Sequence, residues 1–165
     1  TQLQNQGFDF FNLGGYVERA DNTARVLDVK YCVLLPTIDM VGGGVDTYQW
    51  ITLLRSMSAR RAFHREYHGD YSPNKIAHFL TLNSACPRSI LHCAEKMHHH
   101  LSRLSCKHKK ETAAQAYVEN MLAEIDEYEI DDIIASGLHE FLTEFIAKNA
   151  RITEEIANSY LFGHS

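Results

Sequence analysis

The sequence has few residues that interrupt helices and no long hydrophobic run. It contains three prolines, Pro36, Pro73 and Pro87, among 165 residues, so long helices can form between them. No apolar run approaches the ~20 residues that a membrane helix needs. The hydrophobic content of 45% is ordinary for a globular protein. Residues 1–165 are therefore expected to form a single domain outside the membrane, with enough chain to bury a core.

The sequence also lacks an excess of basic residues. Its formal net charge is -5 and its pI is about 6.0, whereas a nucleic-acid-binding domain is usually basic. This balance argues against a nucleic-acid partner.

The four cysteines, Cys32, Cys86, Cys93 and Cys106, form no Cys-x-x-Cys pair. Free buried thiols are the default interpretation, which favours a reducing compartment and a cytoplasmic protein. The chain begins with Thr1 rather than Met, which indicates a fragment of a longer protein.

Helical spacing dominates the chain, and no segment is convincing as a strand. An apolar seam predicts a first helix from Phe8 to Leu35, ended by Pro36. The seam comprises Phe10, Leu13, Val17, Ala20, Ala24, Leu27, Tyr31 and Leu34. A second set, Val26, Val29 and Val33, predicts that this helix packs on more than one side.

Turn and cap residues divide the rest of the chain. The segment "MVGGGVD" (40–46) is predicted as a connection, with Asp46 capping the next helix. Further helices are predicted over 58–67, from Pro73, from Pro87, over 109–126 and over 130–162. The last helix is expected to break near Gly137 or Asn149. The sum is an all-α bundle of six or seven helices.

Within the first helix, the segment "FFNLGGYVERADNTARVLDVKY" resembles the bacterial alpha-E family, which is named for a Glu-Arg pair. That pair corresponds to Glu18 and Arg19. Three further segments resemble family blocks in the expected order: "DTYQWITLLRSMSA" (46–59), "FLTLNSACPRSILHC" (79–93) and "GLHEFL" (137–142). The chain is similar to the C-terminal half of longer family members. It departs from their Gly-Arg dipeptide by having Gly14 and Gly15.

The resemblance implies a helical domain without an established activity. Family members tend to be encoded beside an unusual ATP-grasp ligase and a transglutaminase-like cysteine peptidase. This implies a role in making or modifying a peptide, by analogy rather than from the residues themselves. An ATP-grasp ligase or a transglutaminase-like protein is the implied partner, and a peptide is the implied substrate.

Five charged residues interrupt the first helix at "GGYVERADNTARVLDV" (14–29): Glu18, Arg19, Asp21, Arg25 and Asp28. Three interpretations stay open. The charges lie on a solvated face with weak i,i+4 pairs, or they form a buried network between helices. Alternatively, Glu18 and Arg19 face a pocket, where the carboxylate holds an amine or a metal and the guanidinium holds a phosphate or carboxylate.

Further candidate site residues lie outside this helix. A pocket is predicted from Trp50, Arg55, Arg88, His139 and Glu140. Glu95 and His98 form a single Glu-x-x-His motif, whereas a di-iron bundle needs two. His64 and His68 have chelating spacing but no further pattern. The "GGG" at 42–44 lacks the lysine of a phosphate-binding loop. No metal and no cofactor are therefore predicted.

The leading functional hypothesis is a non-catalytic partner or substrate-binding module in a bacterial peptide-ligase or peptide-modification system. One alternative is an enzyme that acts on a peptide or amide, with Glu18 as acid or base and Arg19 as anion holder. The other is a structural homo-oligomer built on the apolar seam.

Overall fold

The computed structural model describes residues 2–34 and 44–161, with side chains over 6–31 and 47–160. The described residues form eight α-helices and no strand, which confirms the all-α class. The helices are α1 (Gln2–Leu34), α2 (Gly44–Ser56), α3 (Arg60–Tyr67), α4 (Pro73–Thr81), α5 (Ile90–His108), α6 (Ala113–Asp126), α7 (Ile130–Ser136) and α8 (Leu138–Ile156). A π-helical turn, Ala157–Leu161, follows α8.

Helix α1 is the axis of the bundle. It packs against α5 and α8, and α6 packs against both of those helices. The seam residues Leu13, Ala20, Ala24 and Leu27 are fully or almost fully buried, as their spacing predicts. The second predicted apolar set contributes only partly to packing. Val26 packs on the core, whereas Val29 is 60% exposed.

Several helix starts differ from the predictions. Helix α1 begins at Gln2 rather than Phe8, α3 at Arg60 rather than residue 58, and α6 at Ala113 rather than residue 109. Helix α2 begins at Gly44, so Asp46 lies within the helix rather than at its cap. Helix α5 begins at Ile90 rather than at Pro87, because the Ser89 side chain accepts a hydrogen bond from the backbone N–H of His92. The predicted helix end at Leu35 and Pro36, the connection at 40–43 and the end of the last helix beyond 161 lie outside the described residues.

The helix count exceeds the predicted six or seven because the last segment divides at Gly137. This glycine has φ of 113° and closes α7 while it opens α8. L-residues rarely adopt such a backbone. No break occurs at Asn149, which lies buried inside α8. The division places the first turn of α8, which contains His139, beside Asp28 of α1.

Candidate functional site

The five predicted charged residues of α1, from Glu18 to Asp28, do not form a buried network. Asp21 and Arg25 make an i,i+4 ion pair of 2.9 Å whose side chains are 36% and 62% exposed. Such surface pairs contribute little stability. Glu18 is exposed as well. The solvated-face interpretation therefore describes Asp21 and Arg25, and the buried-network interpretation is wrong for this group.

Asp28, at the C-terminal end of the same stripe, connects α1 to α8. Its Oδ1 lies 2.7 Å from Nδ1 of His139 in the first turn of α8. The hydrogen bond and the negative charge of Asp28 raise the pKa of His139 above its ordinary value. This partly exposed pair links the two helices at one end of their contact.

Glu18 lies on the rim of a groove between α1 and the C-terminal part of α8, with a cavity volume of about 600 Å³. We call it the Glu18 groove. Its α1 wall consists of Phe10, Leu13, Gly14, Val17, Glu18 and Asp21. Its opposite wall consists of Asn149, Ala150, Thr153, Ile156 and Ala157. The groove is mainly apolar, with carboxylates on one edge.

A buried amide lies in the wall of the Glu18 groove. Asn149 is 2% exposed, and its Nδ2 donates a hydrogen bond of 2.9 Å to the backbone carbonyl of Val17. Its Oδ1 is buried without a hydrogen-bond partner among the described residues. Buried polar atoms usually have partners, so this oxygen is an unpaired buried acceptor of a residue that lines the groove.

Arg19 points to a different part of the molecule. Its Nη1 donates a hydrogen bond of 3.2 Å to the carbonyl of Pro87, and its guanidinium lies 5.1 Å from the ring centre of Tyr16. It lines a smaller cavity of about 210 Å³ together with Cys86 and Arg88. Arg19 thus anchors α1 to the turn before α5.

The structure therefore separates the two residues of the Glu-Arg motif. Adjacent residues of a helix point about 100° apart, and here they line two cavities with no shared lining residue. The interpretation in which Glu18 and Arg19 act together in one pocket does not fit this geometry.

The second predicted pocket is not assembled either. Trp50 is fully buried against Tyr31 in the core, with ring centres 5.9 Å apart. Arg88 lies in the cavity of Arg19, and His139 pairs with Asp28. Glu140 is an exposed residue whose carboxylate lies against Gly137. Arg55 and Arg88 line different cavities and the other three residues lie elsewhere, so the prediction of a common pocket was wrong.

Arg55 lies in a cavity that the sequence did not reveal. It lines a space of about 890 Å³ with Ser58, Arg60, Arg61, His64, Arg65 and Tyr71. We call it the arginine cavity. The density of arginine in "RSMSARRAFHR" (55–65) was the available signal, but only the turn between α2 and α3 brings these residues to one concave surface.

A buried ion cluster between α1 and α5 was not predicted from the sequence. Asp9 is fully buried, with its carboxylate 2.9 Å from His100, 3.0 Å from Arg103 and 2.9 Å from Lys107. Burial acts to raise the pKa of Asp9, but hydrogen bonds from the three basic side chains outweigh it, and the pKa lies below its usual range. Asp9 is the buried charge of α1, in place of the predicted motif residues.

The two buried cysteines are not activated as nucleophiles. Cys86 and Cys93 are buried, and burial raises the pKa of both thiols, that of Cys93 to about 12. Reactive cysteines usually have a lowered pKa. Within residues 2–34 and 44–161, no group of three or more metal-ligating side chains has metal-binding geometry, and no helix is long and apolar enough to cross a membrane.

Comparisons with known proteins agree with the resemblance noted in the sequence. No curated protein and no solved structure matches the chain. Residues 1–161 match the model of the Alpha-E family, described as a predicted alpha-helical domain with a conserved ER motif. The match covers nearly the whole chain, and its Glu-Arg pair lies where α1 meets α8 and the turn before α5. The chain therefore belongs to the Alpha-E family.

Proposed function

We propose that this domain is a non-catalytic helical module that binds a peptide within a bacterial peptide-ligase or peptide-modification system. The observation that supports the proposal is the Glu18 groove, which combines apolar walls with the exposed carboxylate of Glu18. Its volume of about 600 Å³ lies within the usual range for ligand sites, about 300–1,000 Å³.

The groove chemistry favours a ligand with an apolar body and an ammonium group. Phe10, Val17 and Ile156 are partly exposed and offer apolar contact, which favours an aliphatic or aromatic side chain. Glu18 is an acceptor for a lysine side chain or an N-terminal amine, whereas the neighbouring Asp21 already pairs with Arg25.

The resemblance to the alpha-E family supplies the biological setting of the proposal. An ATP-grasp ligase and a transglutaminase-like protein are the proposed partners, and the cytoplasm is the proposed location. In this setting the module presents a peptide to a catalytic partner. Glu18 and Arg19 face different cavities. Ligand binding at Glu18 is therefore favoured over an enzyme in which Glu18 acts as acid or base while Arg19 holds an anion in the same site.

The proposal can be tested with two pools of blocked pentapeptides, one with a central lysine and one with a central glutamate. The other positions are randomised over apolar residues. Peptides retained on immobilised protein are identified by mass spectrometry, and their affinities are measured by calorimetry. We expect retention from the lysine pool, weakened by Glu18→Gln. No retention, or equal retention from both pools, would contradict the proposal.

Two adjacent glycines provide a matched pair of variants. A Cβ atom at Gly14 or Gly15 meets no atom within 4 Å, so both sites accept a side chain. Only Gly14 lines the groove. We expect Gly14→Leu to abolish peptide retention and Gly15→Leu to preserve it. If Gly14→Leu instead changes the sedimentation mass of the protein without affecting peptides, a second copy of the chain covers the groove and the peptide proposal fails.

A further inference from the structure

The arginine cavity concentrates positive charge in a protein whose net charge is -5. Its lining holds four arginines and no carboxylate: Arg55, Arg60, Arg61 and Arg65. They come from the last turn of α2 and from α3. Arg55, Arg61 and Arg65 are exposed at this concave surface and Arg60 is half-buried, so the clustered positive charges are accessible to a dissolved anion and attract it.

These arginines have no ion-pair partner among the described residues. Arg25, Arg103 and Arg151 each lie within 4 Å of a carboxylate, but none of the four cavity arginines does. Arg61 and Arg65 are also spaced i,i+4 on α3, so their like charges repel. Folding thus brings four cations together without an internal anion.

The N-terminus of α3 adds to this positive potential. Its N-cap is Ala59, which has no side-chain hydrogen bond to the helix, and its first turn has no acidic residue. Arg60 and Arg61 occupy positions where the helix dipole favours negative charge. A bound anion would relieve both the uncapped helix end and the repulsion between guanidinium groups.

Packing holds the cavity wall in place. Phe63 of α3 is fully buried and stacks on Tyr71, with ring centres 5.2 Å apart. The Tyr71 hydroxyl lies 3.2 Å from Nδ1 of His64. The turn into α3 passes through Ser58, which has φ of 54°. Hydroxyl and imidazole groups therefore stand beside the guanidinium groups as further hydrogen-bonding partners.

We propose that the arginine cavity binds a ligand that carries an oligophosphate group. Guanidinium groups bind phosphate oxygens through paired hydrogen bonds, and several of them suit a chain of linked phosphates better than a single carboxylate. The volume of about 890 Å³ leaves room for more than one phosphate. This site shares no lining residue with the Glu18 groove and does not depend on the peptide proposal.

Calorimetry at constant ionic strength tests the proposal with sodium tripolyphosphate, ATP, AMP and citrate. We expect tripolyphosphate to bind with one-to-one stoichiometry and more tightly than AMP or citrate. Equal affinity for ATP and tripolyphosphate identifies the phosphates as the whole ligand, whereas tighter binding of ATP adds a nucleoside. Absence of tripolyphosphate binding, or citrate binding of equal strength, would overturn the proposal.

Two double variants distinguish specific binding in the arginine cavity from non-specific attraction by positive charge. Arg61→Ala with Arg65→Ala removes two cavity cations, whereas Arg25→Ala with Arg151→Ala removes two exposed arginines outside it. We expect the first pair to weaken tripolyphosphate binding by about tenfold or more and the second pair to leave it unchanged. The thermal midpoint of the cavity variant without ligand should not fall, because like charges are removed. An equal loss of binding in both double variants would show non-specific attraction and would contradict the assignment.

Discussion

Glu18 and Arg19 are neighbours in the sequence, yet they line separate cavities on different sides of α1. Arg19 reaches the carbonyl of Pro87, sixty-eight residues further along the chain, while Glu18 remains exposed at the α8 groove. The two halves of the family motif thus have different neighbours, and their substitutions should have different consequences. Stability and ligand binding need to be measured separately for each residue.

Arg19→Met should destabilise the fold, whereas Glu18→Gln should not. The first change removes the hydrogen bond to Pro87 and the contact with the Tyr16 ring, which together contribute roughly 1–3 kcal/mol. The second changes an exposed group and should alter the free energy of unfolding by at most about 0.5 kcal/mol. Urea denaturation of both variants measures the difference, with Arg25→Met as the exposed arginine control. Equal losses for Glu18→Gln and Arg19→Met would refute the separation of roles.

The helical architecture could be predicted because it depends on local spacing. The α1 seam repeats every three or four residues, and its buried members are those the period selects. The break at Gly137 follows from a residue that tolerates positive φ. Ser72 and Pro73 similarly marked the start of α4.

The sites could not be predicted to the same degree, because they depend on how separate helices meet. Asp9 falls on the apolar period of α1, four residues before Leu13, and three basic residues share one face of α5. That pattern was a readable sign of a buried ion cluster. The grouping of Arg55 with the α3 arginines required the direction of the turn at Ser58, which no spacing rule gives.

Asp9→Asn should be among the most destabilising single changes in α1. It leaves His100, Arg103 and Lys107 without their shared carboxylate, and loss of one partner of a buried ion pair costs about 3–5 kcal/mol. Asp21→Asn, which breaks an exposed pair, is the matched control and should cost less than about 1 kcal/mol. Urea midpoints at pH 7 measure both losses.

The Asp9 effect should also depend on pH in a defined direction. The folded state lowers the pKa of Asp9, so its contribution is fully present above the ordinary aspartate value of about 3.9 and is lost as the pH falls through the folded value. The stability difference between the parent and Asp9→Asn should therefore shrink in acid. A difference that persists undiminished well below the folded pKa would show that Asp9 acts through packing rather than charge.

The Asp28–His139 pair should stabilise the fold at lower pH and lose its effect at higher pH. The hydrogen bond with Asp28 raises the pKa of His139 in the folded state. Its contribution is therefore complete below the ordinary histidine value of about 6.5 and disappears as the pH rises through the folded value. Thermal midpoints of the parent and of Asp28→Asn should converge with increasing pH. NMR titration of His139 should show a lower pKa in Asp28→Asn; an unchanged pKa would rule out the ion pair as the cause.

Two glycine-to-alanine substitutions should change stability in opposite directions. Gly15 lies within α1 with open space around its Cα, so Gly15→Ala should stabilise the helix by about 1 kcal/mol. Gly137 has φ of 113°, and an added Cβ would lie 1.9 Å from Oε2 of Glu140. A flexible carboxylate can move away, but the backbone strain stays and costs about 1–3 kcal/mol. Gly137→Ala should thus destabilise the fold even when combined with Glu140→Ala, which removes the clash. If the double variant recovers the stability of Glu140→Ala alone, the side-chain contact and not the backbone conformation requires glycine between α7 and α8.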